Sequence, residues 1–236
     1  ITKMEGVPRY KIYALVTEAE KPDSPNYQKS SDFLIRAEQY GIPQTRHRVI
    51  LLGVREDINQ IPTILTPFND AVTVEEVLSD LPPLRSGFSK RKDSQQDWEK
   101  SVSKNAASLS KLLSRTFNLD NVKALDLAPL KKLERKQHQL DGKQPLKMPE
   151  HLMKWYLQNK PNCVLNHETR GHMETDLLRY AFSAAFTKLS EGTSPKARDF
   201  PAELAPAHDN WNSGSHADRF RTQAANKCST TVTSHI

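Results

Sequence analysis

Tyr40-Gly41-Ile42-Pro43-Gln44-Thr45-Arg46-His47-Arg48, followed at once by Val49-Ile50-Leu51-Leu52-Gly53-Val54, is the stretch on which the reading of this chain turns. A Gly-Ile-Pro turn delivers a Gln-x-Arg-x-Arg spacing to an apolar, β-rich run, so a strand is expected there. On one continuous strand, residues i and i+2 share a face, which would aim Arg46 and Arg48 at one target. Guanidinium forks of that kind suit a phosphate or a base edge. The alternative is an edge strand whose arginines meet only water.

Upstream, Tyr10 to Val16 alternates and reads as a strand. Glu18 to Ser31, with Pro22 and Pro25, reads as an inserted loop. Phe33 to Ala37 reads as a second strand and Val49 to Val54 as a third, apolar enough to be buried on both faces as in an α/β sheet.

The block from Asp32 to Arg55 resembles the Gln-x-Arg-x-Arg region of the DNA (cytosine-5) methyltransferases. It carries the Ala37-x-x-Tyr40-Gly41-Ile42-Pro43 lead-in, both motif arginines and the closing Gly53-Val54-Arg55. Cys228 to His235 resembles the Thr-rich stretch that precedes the C-terminal catalytic segment of that family. The resemblance implies an α/β fold, in which residues 1–58 are the terminal strands of a Rossmann-like methyltransferase sheet. Residues 59–236 fill the slot of a mixed α+β, loop-rich target recognition domain leading into the missing C-terminal catalytic segment.

It also implies a reaction. A cysteine thiolate adds to C6 of a cytosine flipped out of duplex DNA, a glutamate supports N3, and C5 takes the methyl group of S-adenosylmethionine. In that scheme Arg48 meets the cytosine O2 and its phosphate, Arg46 is its companion, and Gln44 fixes the turn. The glycine-rich cofactor loop, a Pro-Cys nucleophile and a Glu-Asn-Val segment do not occur among the 236 residues; Pro161-Asn162-Cys163 is the nearest approach, and it lies on the wrong side of the arginine motif. The chain is therefore expected to be inactive alone and to work with an N-terminal catalytic half. Cys163 and Cys228 read as small buried residues or bystanders.

Composition agrees with such a role. Two cysteines give neither a disulfide framework nor a zinc quartet, and the net charge of +6 favours a polyanionic partner. No apolar run reaches the length of a membrane span. A bacterial cytoplasmic, nucleoid-associated location is the expectation.

In the remainder, Thr73 and Glu76 form a capping-box pattern for a short helix ending at Pro82-Pro83. Residues 86–106 are Ser/Lys/Gln/Asp-rich and read as mobile, while Ser108 to Phe117 and His151 to Gln158 read as helices. Lys131 to His138 reads as a solvated helix face or a nucleic-acid contact. Glu174 to Leu189 keeps apolar residues at helical spacing over four turns. Arg170 and His172 flank Gly171 just before that helix, where a DNA phosphate fits, or where Arg170 pairs with Glu168 or Glu174. Trp211, Arg219 and Arg221 lie in an Asn/Gly-containing loop suited to base edges, although Trp211 reads first as core. Thr233 and Ser234, on an expected strand from Thr230, would offer hydroxyls to phosphates. His167 and His172 lack companions for a metal site. Two rivals remain open at this point: an RNA (cytosine-5) methyltransferase of the same fold, and a non-catalytic DNA-binding module.

Overall fold

The structure, a computed structural model, describes residues 6–68, 71–120, 122, 133–139, 148–159, 163–207, 211 and 220–231. The chain divides into two compact units, Ile1–Val72 with Cys228–Thr233, and Thr73–Lys227 with Ser234–Ile236. It is a mixed α/β protein whose described strands pair two by two.

In the first unit, β1 (Tyr10–Tyr13) pairs antiparallel with β5 (Leu52–Arg55), and β2 (Leu34–Arg36) pairs antiparallel with β4 (His47–Val49). β3 (Gln44–Thr45) lies parallel to β8 (Ser229–Thr230), a segment from the far end of the chain. Gly41 ends a 3-10 turn over Ala37–Tyr40 with φ of 77°, a left-handed conformation that a side chain would strain. The Gly-Ile-Pro signal is that turn.

The strand expected over 49–54 is interrupted. β4 stops at Val49 and β5 starts at Leu52, because the two pair with different partners. Nor is this run buried on both faces: Val49, Ile50 and Leu51 are 60%, 43% and 59% exposed. Nothing among the described residues covers these apolar side chains.

The second unit has its core between two helices. α2 (Gln95–Phe117) and α4 (Glu174–Leu189) bring Leu109, Leu113 and Phe182, all fully buried, against Phe200, Leu204 and Phe220. Trp211 packs on this cluster, 5.5 Å from the Phe200 ring, so its reading as core holds. α1 (Val74–Leu78) opens with the expected capping box: Thr73 Oγ1 accepts from Glu76 N–H (3.3 Å) and Glu76 Oε2 accepts from Thr73 N–H (2.7 Å). α3 (Glu150–Leu157) lies where a helix was expected over 151–158, and α4 has the bounds that periodicity predicts.

Two expectations are corrected here. α2 begins at Gln95, well inside the segment read as mobile. Ser94 caps it by accepting from Asp97 N–H (3.1 Å), and Trp98, Ser101, Leu109 and Leu113 are its buried positions. The polar composition masked an amphipathic helix, whose inward stripe needs only one residue per turn. Leu133 to His138 is extended rather than helical: Thr169 N–H donates to the Arg135 carbonyl (2.9 Å) and Gln137 N–H to the His167 carbonyl (3.1 Å). Lys131 and Lys132 lie outside the described residues.

Candidate nucleic-acid interface

In the first unit the arginine block is held by its partner from the chain's far end. Thr45 Oγ1 donates to the Ser229 carbonyl (3.1 Å), Ser229 N–H and Oγ both reach the Pro43 carbonyl (3.1 and 2.9 Å), and Thr231 Oγ1 donates to the Thr45 carbonyl (2.9 Å). The hydroxyls of the Thr-rich stretch thus bind the backbone of the motif. Gln44 is half-buried in β3, and its carbonyl accepts from Arg46 N–H (2.8 Å).

Arg46 sits at the break between β3 and β4, its carbonyl accepting from Ala37 N–H (3.3 Å), and the ladder partner changes there from β8 to β2. Arg46 and Arg48 therefore do not stand on the one continuous strand that their spacing suggests. Both arginines are exposed. Arg48 lies opposite Ile35 and donates through Nη1 to the His47 carbonyl (2.7 Å), while His47 Nε2 is 2.8 Å from Glu38 Oε1.

In the second unit, β6 (Gly87–Phe88) runs parallel to β7 (Gly171–His172). Gly87 N–H donates to the Arg170 carbonyl (3.1 Å) and Ser89 N–H to the His172 carbonyl (2.9 Å). The backbones meet so closely at Gly171 that a Cβ there would lie 2.6 Å from the Phe88 carbonyl oxygen. Thr169 Oγ1 donates to the Arg85 carbonyl (2.6 Å), and Arg135 Nη2 donates to the Thr169 carbonyl (2.9 Å), tying the extended 134–138 segment to the same ribbon. Below the ribbon, the Asp93 carboxylate accepts from Arg85 Nη1 (3.1 Å), Arg85 Nη2 (2.8 Å) and Phe88 N–H (3.0 Å). The Arg85 hydrogen bonds hold the Asp93 carboxyl below the usual carboxylate range, against the opposing effect of its burial.

Arg170 is exposed at the entry to β7. His172 is half-buried, its ring 4.8 Å from that of Tyr180, and burial pushes its imidazole pKa down despite the opposing charge of Asp176. Burial likewise raises the Tyr180 phenol. Glu174, one of the two acids proposed to pair with Arg170, lies 3.5 Å from Arg91. Arg221 is exposed next to buried Phe220, whose carbonyl accepts from Ser183 Oγ. Arg219, Thr233 and Ser234 lie outside the described residues. Of the two cysteines, Cys163 is exposed rather than buried, and Cys228 is half-buried with Sγ 3.1 Å from the Val72 carbonyl.

The structure thus brings Gln44 together with the Thr-rich stretch, and Arg170 together with His172. Spacing gave no sign of the Arg85–Asp93 pair, since neither residue stands in a motif. Among the described residues no group of three or more His, Cys, Asp and Glu could hold a metal ion, and no helix is long and apolar enough to cross a membrane.

A sequence profile of the C-5 cytosine-specific DNA methylases matches residues 16–198. The chain belongs to that family. The Type II methyltransferase M.MthTI of Methanothermobacter thermautotrophicus is 33% identical over 66 residues, which make up 28% of this methylase-family chain and 20% of that protein. The match therefore spans about a fifth of its curated relative. No solved structure matches the chain.

Enzymes of this family draw their methyl group from S-adenosylmethionine. The described residues do not fit a site for it. The first unit's glycines, Gly6, Gly41 and Gly53, stand far apart in sequence, so they form no glycine-rich loop to approach the ligand backbone-first. A shallow cavity of about 400 Å³ in the second unit is lined by Arg115, Phe200 and Glu203 among others, and the Arg115–Glu203 ion pair (2.7 Å) occupies its polar groups with each other.

Proposed function

We propose that this chain is the cytosine-contacting and target-recognising portion of a DNA cytosine-5 methyltransferase. The observation that carries the reading is the pairing of β3 with β8. The arginine motif and the Thr-rich stretch, 184 residues apart at Thr45 and Ser229, are hydrogen-bonded neighbours, and everything from Thr73 to Lys227 is an insertion between them. An inserted unit between the arginine block and the last catalytic segment is what a target recognition domain requires.

In this reading the first unit, with residues 1–58 at its centre, supplies the closing strands of a Rossmann-like catalytic sheet. The exposed apolar residues Val49, Ile50 and Leu51 are where the remainder of that sheet packs. The nucleophilic cysteine, the glutamate at N3 and the S-adenosylmethionine site belong to sequence outside these 236 residues. Arg48 meets the O2 edge of the flipped cytosine and Arg46 supports it. A preorganised donor at that position stabilises the charge that develops on the ring by roughly 3 kcal/mol. The second unit reads duplex DNA through Arg170, His172, Arg219 and Arg221, and Thr233 and Ser234 add hydroxyls. Such an enzyme works on the chromosome, in the cytoplasm of a bacterial-type cell.

The test is co-expression. The chain alone should bind duplex DNA but neither methylate it nor give a calorimetric signal with S-adenosylmethionine. Together with a polypeptide carrying a glycine-rich loop, Pro-Cys and Glu-Asn-Val, it should protect plasmid DNA at C5 of cytosine. Duplex binding without methylation in any pairing would favour a non-catalytic module, and methyl transfer confined to transfer RNA would favour the RNA branch.

A further inference from the structure

We propose that Lys90, Arg91 and Lys92 form a phosphate-gripping turn, anchored on the ribbon that Arg170 enters from its other end, that clamps the backbone of duplex DNA against the second unit. This inference rests on the DNA-recognition reading and adds residues that the sequence pattern had consigned to a mobile segment.

Three consecutive cations are usually a solvated charge run. Here the anchoring sets them apart. The turn leaves β6 at Phe88 and returns at Asp93, and both ends are fixed by one carboxylate. Asp93 accepts from Phe88 N–H (3.0 Å) and from both terminal nitrogens of Arg85, a residue only 6% exposed. Arg85 Nη1 also donates to the Ser86 carbonyl (2.9 Å), so the base of the turn is closed from inside. Ser89 N–H donates to the His172 carbonyl (2.9 Å), which joins the turn to β7.

On that base, Lys90 adopts φ of 62°, the left-handed region that a lysine seldom enters, and Lys90, Arg91 and Lys92 are all exposed. The Arg91 guanidinium lies over the Phe88 ring at 3.6 Å from its centroid and 3.5 Å from Glu174 Oε2. Stacked on a buried ring, it keeps its planar fork oriented while Glu174 offsets part of its charge. Asp93, the acid next to Lys92 in sequence, is committed to Arg85 at 2.8 Å. Exposed Arg170 enters the same ribbon one residue before Gly171, whose neighbour in β6 is Gly87. A pinned backbone removes the cost of ordering the turn itself on binding, and exposed cations on it suit the phosphates of a nucleic-acid backbone.

The experiment measures binding of the 236-residue chain to a duplex of about 30 base pairs and arbitrary sequence, as a function of salt. Lys90→Gln with Lys92→Gln should lower the slope of log K against log salt by about 1 to 2, since each phosphate contact contributes near 0.9. Circular dichroism should show the variant folded as wild type. The matched pair Lys104→Gln with Lys111→Gln, on exposed positions of α2, should leave the slope unchanged. An unchanged slope in the turn variant, or an equal drop in the α2 variant, overturns the turn while the recognition reading stands. Absence of duplex binding by the wild-type chain at 50 mM salt overturns both. Loss of binding only to a hairpin RNA would overturn duplex DNA as the partner.

Discussion

Replacing Asp93 by asparagine should cost the protein about 3 kcal/mol of stability, because it turns a matched ionic pair into an unmatched buried charge. Asp93 accepts three hydrogen bonds, two of them from Arg85, and the Arg85 side chain is 6% exposed against 20% for Asp93. Asparagine keeps one acceptor oxygen, and its amide presents donors to a guanidinium that has only donors. Removing one partner of a fully buried pair costs roughly 3–5 kcal/mol, and the partial exposure of Asp93 places this site at the lower end. Urea unfolding at pH 7, with an unchanged slope and a shifted midpoint, measures it. The sign in acid follows from the depressed carboxyl. Its stabilisation is complete above the unfolded value near 3.9 and is lost as pH falls through the lower folded value, so the gap between wild type and Asp93→Asn should begin to narrow below about pH 4 and go on narrowing in stronger acid. The double variant Arg85→Met, Asp93→Asn should lose less than the two singles combined, since the charge leaves with its partner. A loss under 1 kcal/mol for Asp93→Asn at pH 7, or a gap that does not narrow at all as the solution is acidified, would refute the argument.

Gly171→Ala forces a methyl to 2.6 Å from the Phe88 carbonyl oxygen, so β6 and β7 must part; thermal or urea unfolding should register about 2 kcal/mol or more, with weakened bonds at Gly87 and Ser89. Burial lowers the His172 pKa, so the unfolded chain binds the proton more readily and wild-type stability should fall as pH drops below about 6.5; His172→Asn should flatten that part of the profile in a pH series of melting curves. In an assembly that supplies nucleophile and cofactor, Arg48→Ala should slow single-turnover methyl transfer by roughly 10²-fold or more while DNA affinity falls less, and Arg48→Lys should not restore the rate fully. A near-normal rate in a folded Arg48→Ala protein would make the arginine scaffold.

Local elements were readable from the sequence where one force dominates. α4 has a sustained apolar stripe, and α1 has both halves of its capping box, so periodicity and side-chain chemistry agree with the structure. The last turns of α2 were legible in the Leu109 and Leu113 stripe of Ser108 to Phe117, but its first part escaped because the inward residues there, Trp98 and Ser101, include a serine and stand among lysines and glutamines. The Ser94-x-x-Asp97 pattern was the signal available. The arginine block was recognisable as a motif, yet its geometry was not, because the break at Arg46 arises from a change of strand partner that no local pattern encodes. The pairing of Gln44 with Ser229 is likewise invisible to periodicity, being a contact between distant segments.

The two ends of the insert lie side by side. Cys228 Sγ lies 3.1 Å from the Val72 carbonyl, and one step further Val74 N–H donates to the Lys227 carbonyl (2.9 Å) and Glu75 N–H to the Ala225 carbonyl (2.9 Å). Closing a flexible loop of 184 residues would cost roughly 4–5 kcal/mol in chain entropy, far more than a two-residue ribbon returns. An insert that folds first and presents its own ends side by side removes most of that cost. Such a segment has the topology of a cassette: it can be exchanged, lengthened or rewritten between Thr73 and Lys227 while the strands on either side still find each other.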